Sequence, residues 1–290
     1  MPTTRRAARP DDAAALLVLY DAYDTAELGQ PEMELSDIEG MLAIEGSERI
    51  VAEHDGRVVG YADVGANGEA ETVVLPSFDG ARELQRELLD WVVSTGTQRS
   101  VGRLEHFAGA SPDGAAALLS EAGFVHARTI WRMARTIDGG LTEPAWPAGV
   151  RLRAFDRAKD AREVWQVVMT AFAGTFGSHL RPFEEWSTLV LDQGGGVVCA
   201  VEGDEVVAVA TTDVRQGDGH VGQLAVLPQH RGRGLGLALL QECFRRDAAA
   251  GLTSTTLTVD GENVLARRLY EKAGMTVVAE YRRWERDVRA

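Results

Sequence analysis

The segment Val226-Leu-Pro-Gln-His-Arg-Gly-Arg-Gly-Leu-Gly236 sets three glycines at alternate positions between an apolar run and a helical one. Upstream, His220 to Leu227 is short, apolar and branched and is stopped by Pro228, which predicts a strand. Downstream, Leu237, Leu240 and Phe244 recur at helical spacing, with Leu239 and Cys243 widening the stripe. The turn between them presents the free N–H groups of a helix N-terminus, and the glycines let a ligand approach that backbone. Such a turn favours anions, and Arg231 and Arg233 add positive charge in an otherwise acidic chain. The chemistry it suits is capture of a polyphosphate.

Spacing separates three kinds of phosphate loop. A P-loop needs Lys-Ser or Lys-Thr after its last glycine, and here Leu237-Ala238 follow. A dinucleotide fingerprint needs G-x-G-x-x-G, whereas the glycines fall at 232, 234 and 236; Asp260, ending the next apolar run, keeps that reading open. The third pattern is Gln/Arg-x-x-Gly-x-Gly/Ala after a Val-x-Pro strand end, which Gln229-His-Arg-Gly232-Arg-Gly234 meets at every fixed position. Farther on, Leu252 to Val259 reads as a β-branched strand, and Asp260-Gly261 as a turn. Asn263-Val-Leu-Ala-Arg-Arg-Leu-Tyr-Glu-Lys-Ala-Gly-Met275 then reads as a helix with Ala266, Leu269, Tyr270 and Ala273 on one face and Gly274 as its stop. The two motifs, in this order, resemble the pyrophosphate loop and last helix of the GNAT superfamily of acyl-CoA-dependent N-acyltransferases.

The chain also repeats itself. Val51 to Ala62 and Cys199 to Ala210 share a strand, a polar turn and a strand opening on Val-Val. Thr72-Val-Val-Leu-Pro76 precedes a helical stretch from Ala81, as Leu224-Ala-Val-Leu-Pro228 precedes the helix after Gly236. Leu118 to Phe124 stands where Leu269 to Met275 stands later. A repeat of about half the chain predicts two domains. We expect a first domain over 1–140, a Gly- and Pro-rich linker over 141–149, and a second domain over 150–290. The first half answers the glycine loop with Ser77-Phe-Asp-Gly-Ala-Arg82, in which Asp79 would repel an anion. It reads as the same fold with its cofactor loop lost, serving as one wall of a substrate cleft or only as support.

This tandem arrangement is similar to the mycothiol synthase-like branch of the superfamily, an α/β (α+β mixed-sheet) fold of two tandem GNAT acyltransferase domains, the first degenerate and the second catalytic. The resemblance implies acetyl-CoA as co-substrate and a small-molecule primary amine as acceptor, the free amine attacking the thioester. It implies that Leu224, Ala225 and Val226 pair with the pantetheine arm, an N–H near Ala225 or Val226 meeting the oxyanion. Arg231, Gly232, Arg233, Gly234, Leu235 and Gly236 would hold the pyrophosphate, and Asn263 and Arg268 would border the cofactor. Tyr270, with a phenol pKa near ~10, would protonate the leaving thiolate. His220 falls where that branch carries a glutamate and, titrating near neutrality, would take the amine's proton. Phe172, Phe176, His179 and Trp186 would line the acceptor pocket. The alternative is a non-catalytic, acyl-CoA-binding regulatory module.

Composition agrees. At 290 residues, 45% hydrophobic and 26% charged, the chain is long enough for two cores. A net charge of −14 disfavours nucleic acid and anionic membrane. No apolar stretch is long enough for a membrane span, and Arg5-Arg6 is followed by acids rather than the apolar segment of an export signal. We expect a cytoplasmic monomer or homodimer. Cys199 and Cys243 have neither metal-site nor disulfide spacing, so buried thiols and no metal are expected.

Overall fold

The computed structural model describes residues 3–109, 114–174, 181–192 and 195–288. The chain forms two compact units, Met1–Ile130 with Ala279–Ala290, and Trp131–Val278. This departs from the 1–140 and 150–290 division. A strand, β6 (Val125–Thr136), runs through the first boundary, and the last strand, β12 (Thr276–Val288), completes the sheet of the first unit.

In the first unit, β1 (Thr4–Ala7), β2 (Glu48–His54), β3 (Arg57–Val64), β4 (Glu69–Val74), β5 (Gly102–Gly109) and β12 lie side by side in that order. All neighbours are antiparallel except β4 and β5. Helices α1 (Ala13–Leu28), α2 (Leu35–Ala43), α3 (Ala81–Gln98) and α4 (Ala115–Glu121) connect the strands. Two cores result, one around Leu88, Leu104 and Leu119, the other around Leu16, Tyr20 and Tyr61.

The second unit is built the same way. β7 (Val150–Arg153), β8 (Gly196–Glu202), β9 (Glu205–Arg215) and β10 (Asp218–Val226) are antiparallel neighbours, β11 (Ser254–Asp260) joins β10 in parallel, and β6 follows β11. Helices α5 (Arg157–Phe172), α6 (Phe183–Val190), α7 (Leu235–Ala249) and α8 (Val264–Lys272) complete it. The predicted apolar stripe of α7 is real: Leu239, Leu240, Cys243 and Phe244 are fully buried against β8, β9 and β10 residues such as Val198, Val207 and Val221. Both cysteines are free and buried, and burial pushes each thiol up to about 12, which keeps it unreactive. Among the described residues no helix is long and apolar enough to cross a membrane.

Candidate functional site

β10 and β11 part company. Among the described residues their parallel pairing covers Gly219↔Thr255 and His220↔Thr256 and then stops, although β10 continues to Val226 and β11 to Asp260. A bulge at Val221/Gln223, with Gly222 exposed, marks the start of the separation. Beyond it, the Leu227 N–H donates to the Val207 carbonyl on β9. The facing pairs Leu224↔Ala210 and Val226↔Ala208 are then the wide ones, whose N–H and C=O groups point away from β9. Leu224 thus presents both its backbone groups to the opening and Val226 its N–H, the Val226 carbonyl being taken by Arg231. Ala225 does not: its backbone pairs with Val209 and its side chain is 1% exposed, which corrects its expected place at the cofactor.

The glycine loop stands at the end of this opening. Gly232 and Gly234 have φ of +76° and +90°, and Gly234 caps α7 in the left-handed conformation, with open space where a Cβ would stand at either. That conformation is what requires glycine there. Gly236 differs: α7 begins at Leu235, so Gly236 lies inside the helix, and a Cβ on it would meet Leu269 Cδ2 at 2.9 Å. Its missing side chain therefore serves the packing of α7 on α8. Among the described residues the N–H groups of Gly232 through Leu237 have no protein acceptor, and the first to find one is Ala238, bonded to the Gly234 carbonyl. Six such donors follow one another at the positive end of a 15-residue helix, from the exposed residues 232–234 into its first turn, which fits a pyrophosphate.

The two loop arginines are already engaged. Arg231 donates from Nε to the Val226 carbonyl at 3.2 Å and from Nη2 to the Ala171 carbonyl at 2.8 Å, tying the loop to β10 and α5. Arg233 forks onto Glu202 at 2.7 and 3.0 Å and holds that carboxyl below its usual range, with His230 beside them. Both arginines are exposed, so these contacts contribute little stability and a phosphate can compete for them. Glu202 carries no sequence signal for this role, because it meets the loop only through the fold.

Tyr270, on α8, is 9% exposed and belongs to the same buried cluster as Leu235, Leu257 and Val259, with Leu224 and Val226 at its edge. Burial pushes its phenol up to about 12, so it is protonated at neutral pH and able to donate. Asn263 accepts from the Ala266 N–H at 3.1 Å and so caps α8, while Arg268 is exposed with no ion-pair partner among the described residues.

His220 occupies the last paired position before the strands separate, its Nδ1 3.1 Å from Thr256 Oγ1. Burial, with Arg215 and Arg132 adding positive charge, pushes its pKa down to about 4 against the pull of Asp213. The near-neutral titration expected from its residue type is therefore displaced by its surroundings. Of the expected acceptor-pocket residues, Phe176 and His179 lie outside the described residues. Phe172 is partly buried beside the core, and Trp186 is 1% exposed within it, donating its indole N–H to Gln223 at 3.0 Å. Trp186 is thus a core residue that fixes a β10 side chain beside the bulge. Among the described residues no group of three His, Cys, Asp or Glu side chains is placed to hold a metal ion.

Unit 1 reproduces the frame without the site. β4 and β5 pair at Glu69↔Glu105 and Ala70↔His106, but a buried chain of side chains bridges the strands: Gln85 donates to Thr72 Oγ1 at 2.7 Å, and Thr72 meets His106 Nε2 at 2.8 Å. The Ala81 N–H, first in α3, is spent on the Phe78 carbonyl.

Residues 161–275 match the family described as Acetyltransferase (GNAT) family. The chain is 30% identical over 300 residues to a mycothiol acetyltransferase of Thermobispora bispora, covering 96% of this chain and 95% of that protein. A GCN5-related N-acetyltransferase from Sphaerobacter thermophilus superposes with a TM-score of 0.84 at 28% identity over 99% of this chain and 96% of that one. A tandem GNAT protein from the clavulanic acid biosynthesis pathway shares the fold, with a TM-score of 0.77 at 16% identity over 100% and 99% of the two chains.

Proposed function

Because the chain belongs to the GNAT family of acetyltransferases, in the tandem branch that includes mycothiol acetyltransferases, we propose that it transfers the acetyl group of acetyl-CoA to the primary amine of a small molecule, with the chemistry confined to the second unit. The observation that carries this reading is the run of six acceptorless N–H groups at the Gly234 cap, set beside the opening between β10 and β11. The turn holds the pyrophosphate, and β10 is extended at Leu224, whose free backbone groups bond the pantetheine arm alongside Val226. The thioester carbonyl then lies along β10, where the Val226 N–H meets the developing oxyanion. The free amine attacks the carbonyl carbon, the C–S bond breaks, and the Tyr270 phenol protonates the departing thiolate. His220, neutral at physiological pH, accepts the amine's hydrogen bond and relays its proton to water. Arg268 and Asn263 border the cofactor, and Phe172 and Trp186 support the acceptor side.

Binding without turnover is the competing reading, and a proton donor held in its protonated form beside the opening favours catalysis. A thiol-release screen of acetyl-CoA against a broad panel of small amines tests both. Acetylation of at least one amine above the background hydrolysis is expected; binding of acetyl-CoA with no acceptor turned over would favour the regulatory reading.

A further inference from the structure

The His220 ring has two nitrogens, and the strand beside it decides which of them can meet a substrate. At the paired positions before β10 and β11 separate, His220 faces Thr256 and Gly219 faces Thr255. Successive side chains of β11 leave on opposite faces. Thr255 donates to Asp247 Oδ2 on α7 at 2.5 Å, through space that Gly219 leaves open, since a Cβ there would collide with that carboxyl. This bond pins the register, because a slip by one residue would exchange the two threonines. Thr256 is thereby held on the other face, beside the histidine ring.

Thr256 is buried, and its Oγ1 makes two contacts: it donates to the Gly219 carbonyl at 3.1 Å and lies 3.1 Å from His220 Nδ1. A hydroxyl carries one hydrogen, and a carbonyl can only accept. With that hydrogen spent on Gly219, Thr256 meets the ring through a lone pair, so the hydrogen between them belongs to Nδ1. At neutral pH the ring is uncharged, its pKa held near 4 by burial and by Arg215 and Arg132, against the pull of Asp213. An uncharged imidazole with its hydrogen on Nδ1 carries a lone pair on Nε2. Among the described residues Nε2 has no hydrogen-bond partner, and it is not sealed from solvent.

We propose that Thr256 is a positioning residue for acetyl transfer: it holds His220 in the Nδ1–H tautomer and so leaves the Nε2 lone pair to receive the acceptor amine's hydrogen. The role rests on the acetyl-transfer reading, whereas the tautomer rests on the hydrogen bonds alone. As the amine nitrogen bonds to the acetyl carbon, its N–H bond breaks and the proton passes to Nε2, while the thiolate leaves with the Tyr270 proton. The Nδ1–H bond to Thr256 is kept throughout, and the ring then gives the Nε2 proton to water. The opposite tautomer would turn an N–H toward the amine and block the step. Free histidine favours that opposite tautomer in water, so the fold imposes the useful one.

Long-range proton–nitrogen correlation spectra of the full chain labelled with nitrogen-15 histidine read the tautomer at neutral pH without any substrate. The His220 signals are identified by their absence in His220→Gln. Wild type is expected to show a protonated Nδ1 and a bare Nε2. Thr256→Val, of the same shape without the hydroxyl, is expected to move the ring toward Nε2–H and to lower kcat about tenfold, with KM for acetyl-CoA unchanged. Thr256→Ser, which keeps the hydroxyl, should restore both. A threonine that only packs would alter stability in Thr256→Val and leave the tautomer alone. A wild-type ring with its hydrogen on Nε2, or an Nδ1–H ring with wild-type kcat in Thr256→Val, would overturn the proposal. If Thr256→Val does not fold, the wild-type and Thr256→Ser spectra still decide the tautomer. An Nδ1–H ring in a chain that acetylates no amine would instead overturn the acetyl-transfer reading and, with it, the role given to Thr256, so the two failures are told apart.

Discussion

Gly80 and Gly234 adopt the same left-handed conformation, φ +88° and +90°, and each caps the helix that follows the central strand of its unit. Gly80 is therefore the counterpart of Gly234, not of Gly232 as the aligned sequences suggest. Four positions separate Pro76 from Gly80, whereas six separate Pro228 from Gly234. Unit 1 keeps the helix cap and has lost the two residues that lengthen the turn into a cradle. Asp79 then takes the place of Arg233.

Acyl-CoA is accordingly expected at one site per chain. Calorimetric titration with acetyl-CoA should give a stoichiometry near one, and Gly234→Asp should abolish binding by placing a carboxylate in the turn and a side chain at φ +90°. Two equivalent sites would refute the loss of function in unit 1.

The three glycines of the loop are not equivalent. Gly236→Val is expected to destabilise the fold by about 1–3 kcal/mol through its clash with Leu269, and Leu269→Ala in the same chain should recover part of that loss. Chemical denaturation of the two single variants and the double variant measures the coupling. Strict additivity would mean that Gly236 does not act through Leu269.

Tyr270→Phe should leave acetyl-CoA affinity nearly intact, since the ring stays within the buried cluster that holds Leu235 and Leu257, while lowering kcat roughly a hundredfold. Steady-state kinetics with the acceptor found by the amine screen decides it. Wild-type turnover would make Tyr270 a packing residue only.

Stability should respond to acid through His106. Its ring is fully buried and its pKa is pushed from 6.5 to about 4, so the unfolded chain binds more protons than the folded one between those values. The contribution of His106 is complete above pH 6.5 and is lost as pH falls toward 4, up to about 3 kcal/mol in all. Glu71, with its pKa raised to about 8, acts oppositely, losing stability as pH rises. Comparing urea unfolding of wild type and His106→Gln at pH 7 and pH 5 isolates the histidine: the gap between them should shrink at the lower pH.

The strands, helices and repeat were legible in the sequence because each rests on local periodicity and punctuation: Pro228 ends β10, and the stripe of Leu239, Leu240 and Cys243 buries α7. The turn was legible because glycine at positive φ is a local demand. What escaped was everything decided by neighbours distant in sequence. Trp186 and Gln223, Arg233 and Glu202, and Gly236 and Leu269 are 37, 31 and 33 positions apart, and only the fold brings them together. The return of β12 to the first sheet is of the same kind, since a strand pattern does not name its partner.

The pKa of His220 belongs to that second class, and it changes what its titration should look like. With its pKa near 4, the imidazole is already neutral from pH 5 upward and becomes cationic only below about 4. Acetylation should then rise with pH as the acceptor amine itself deprotonates, with no break near 6.5. His220→Ala is expected to lower kcat/KM about tenfold or more at every pH above 5, because a polar acceptor is lost rather than a titrating one. His220→Gln, able to keep a hydrogen bond to Thr256, should recover part of that loss. A break near 6.5 in the wild type that vanishes in His220→Ala would show an ordinary base and refute the displaced pKa. Unchanged kcat/KM in both variants would give proton removal to water alone.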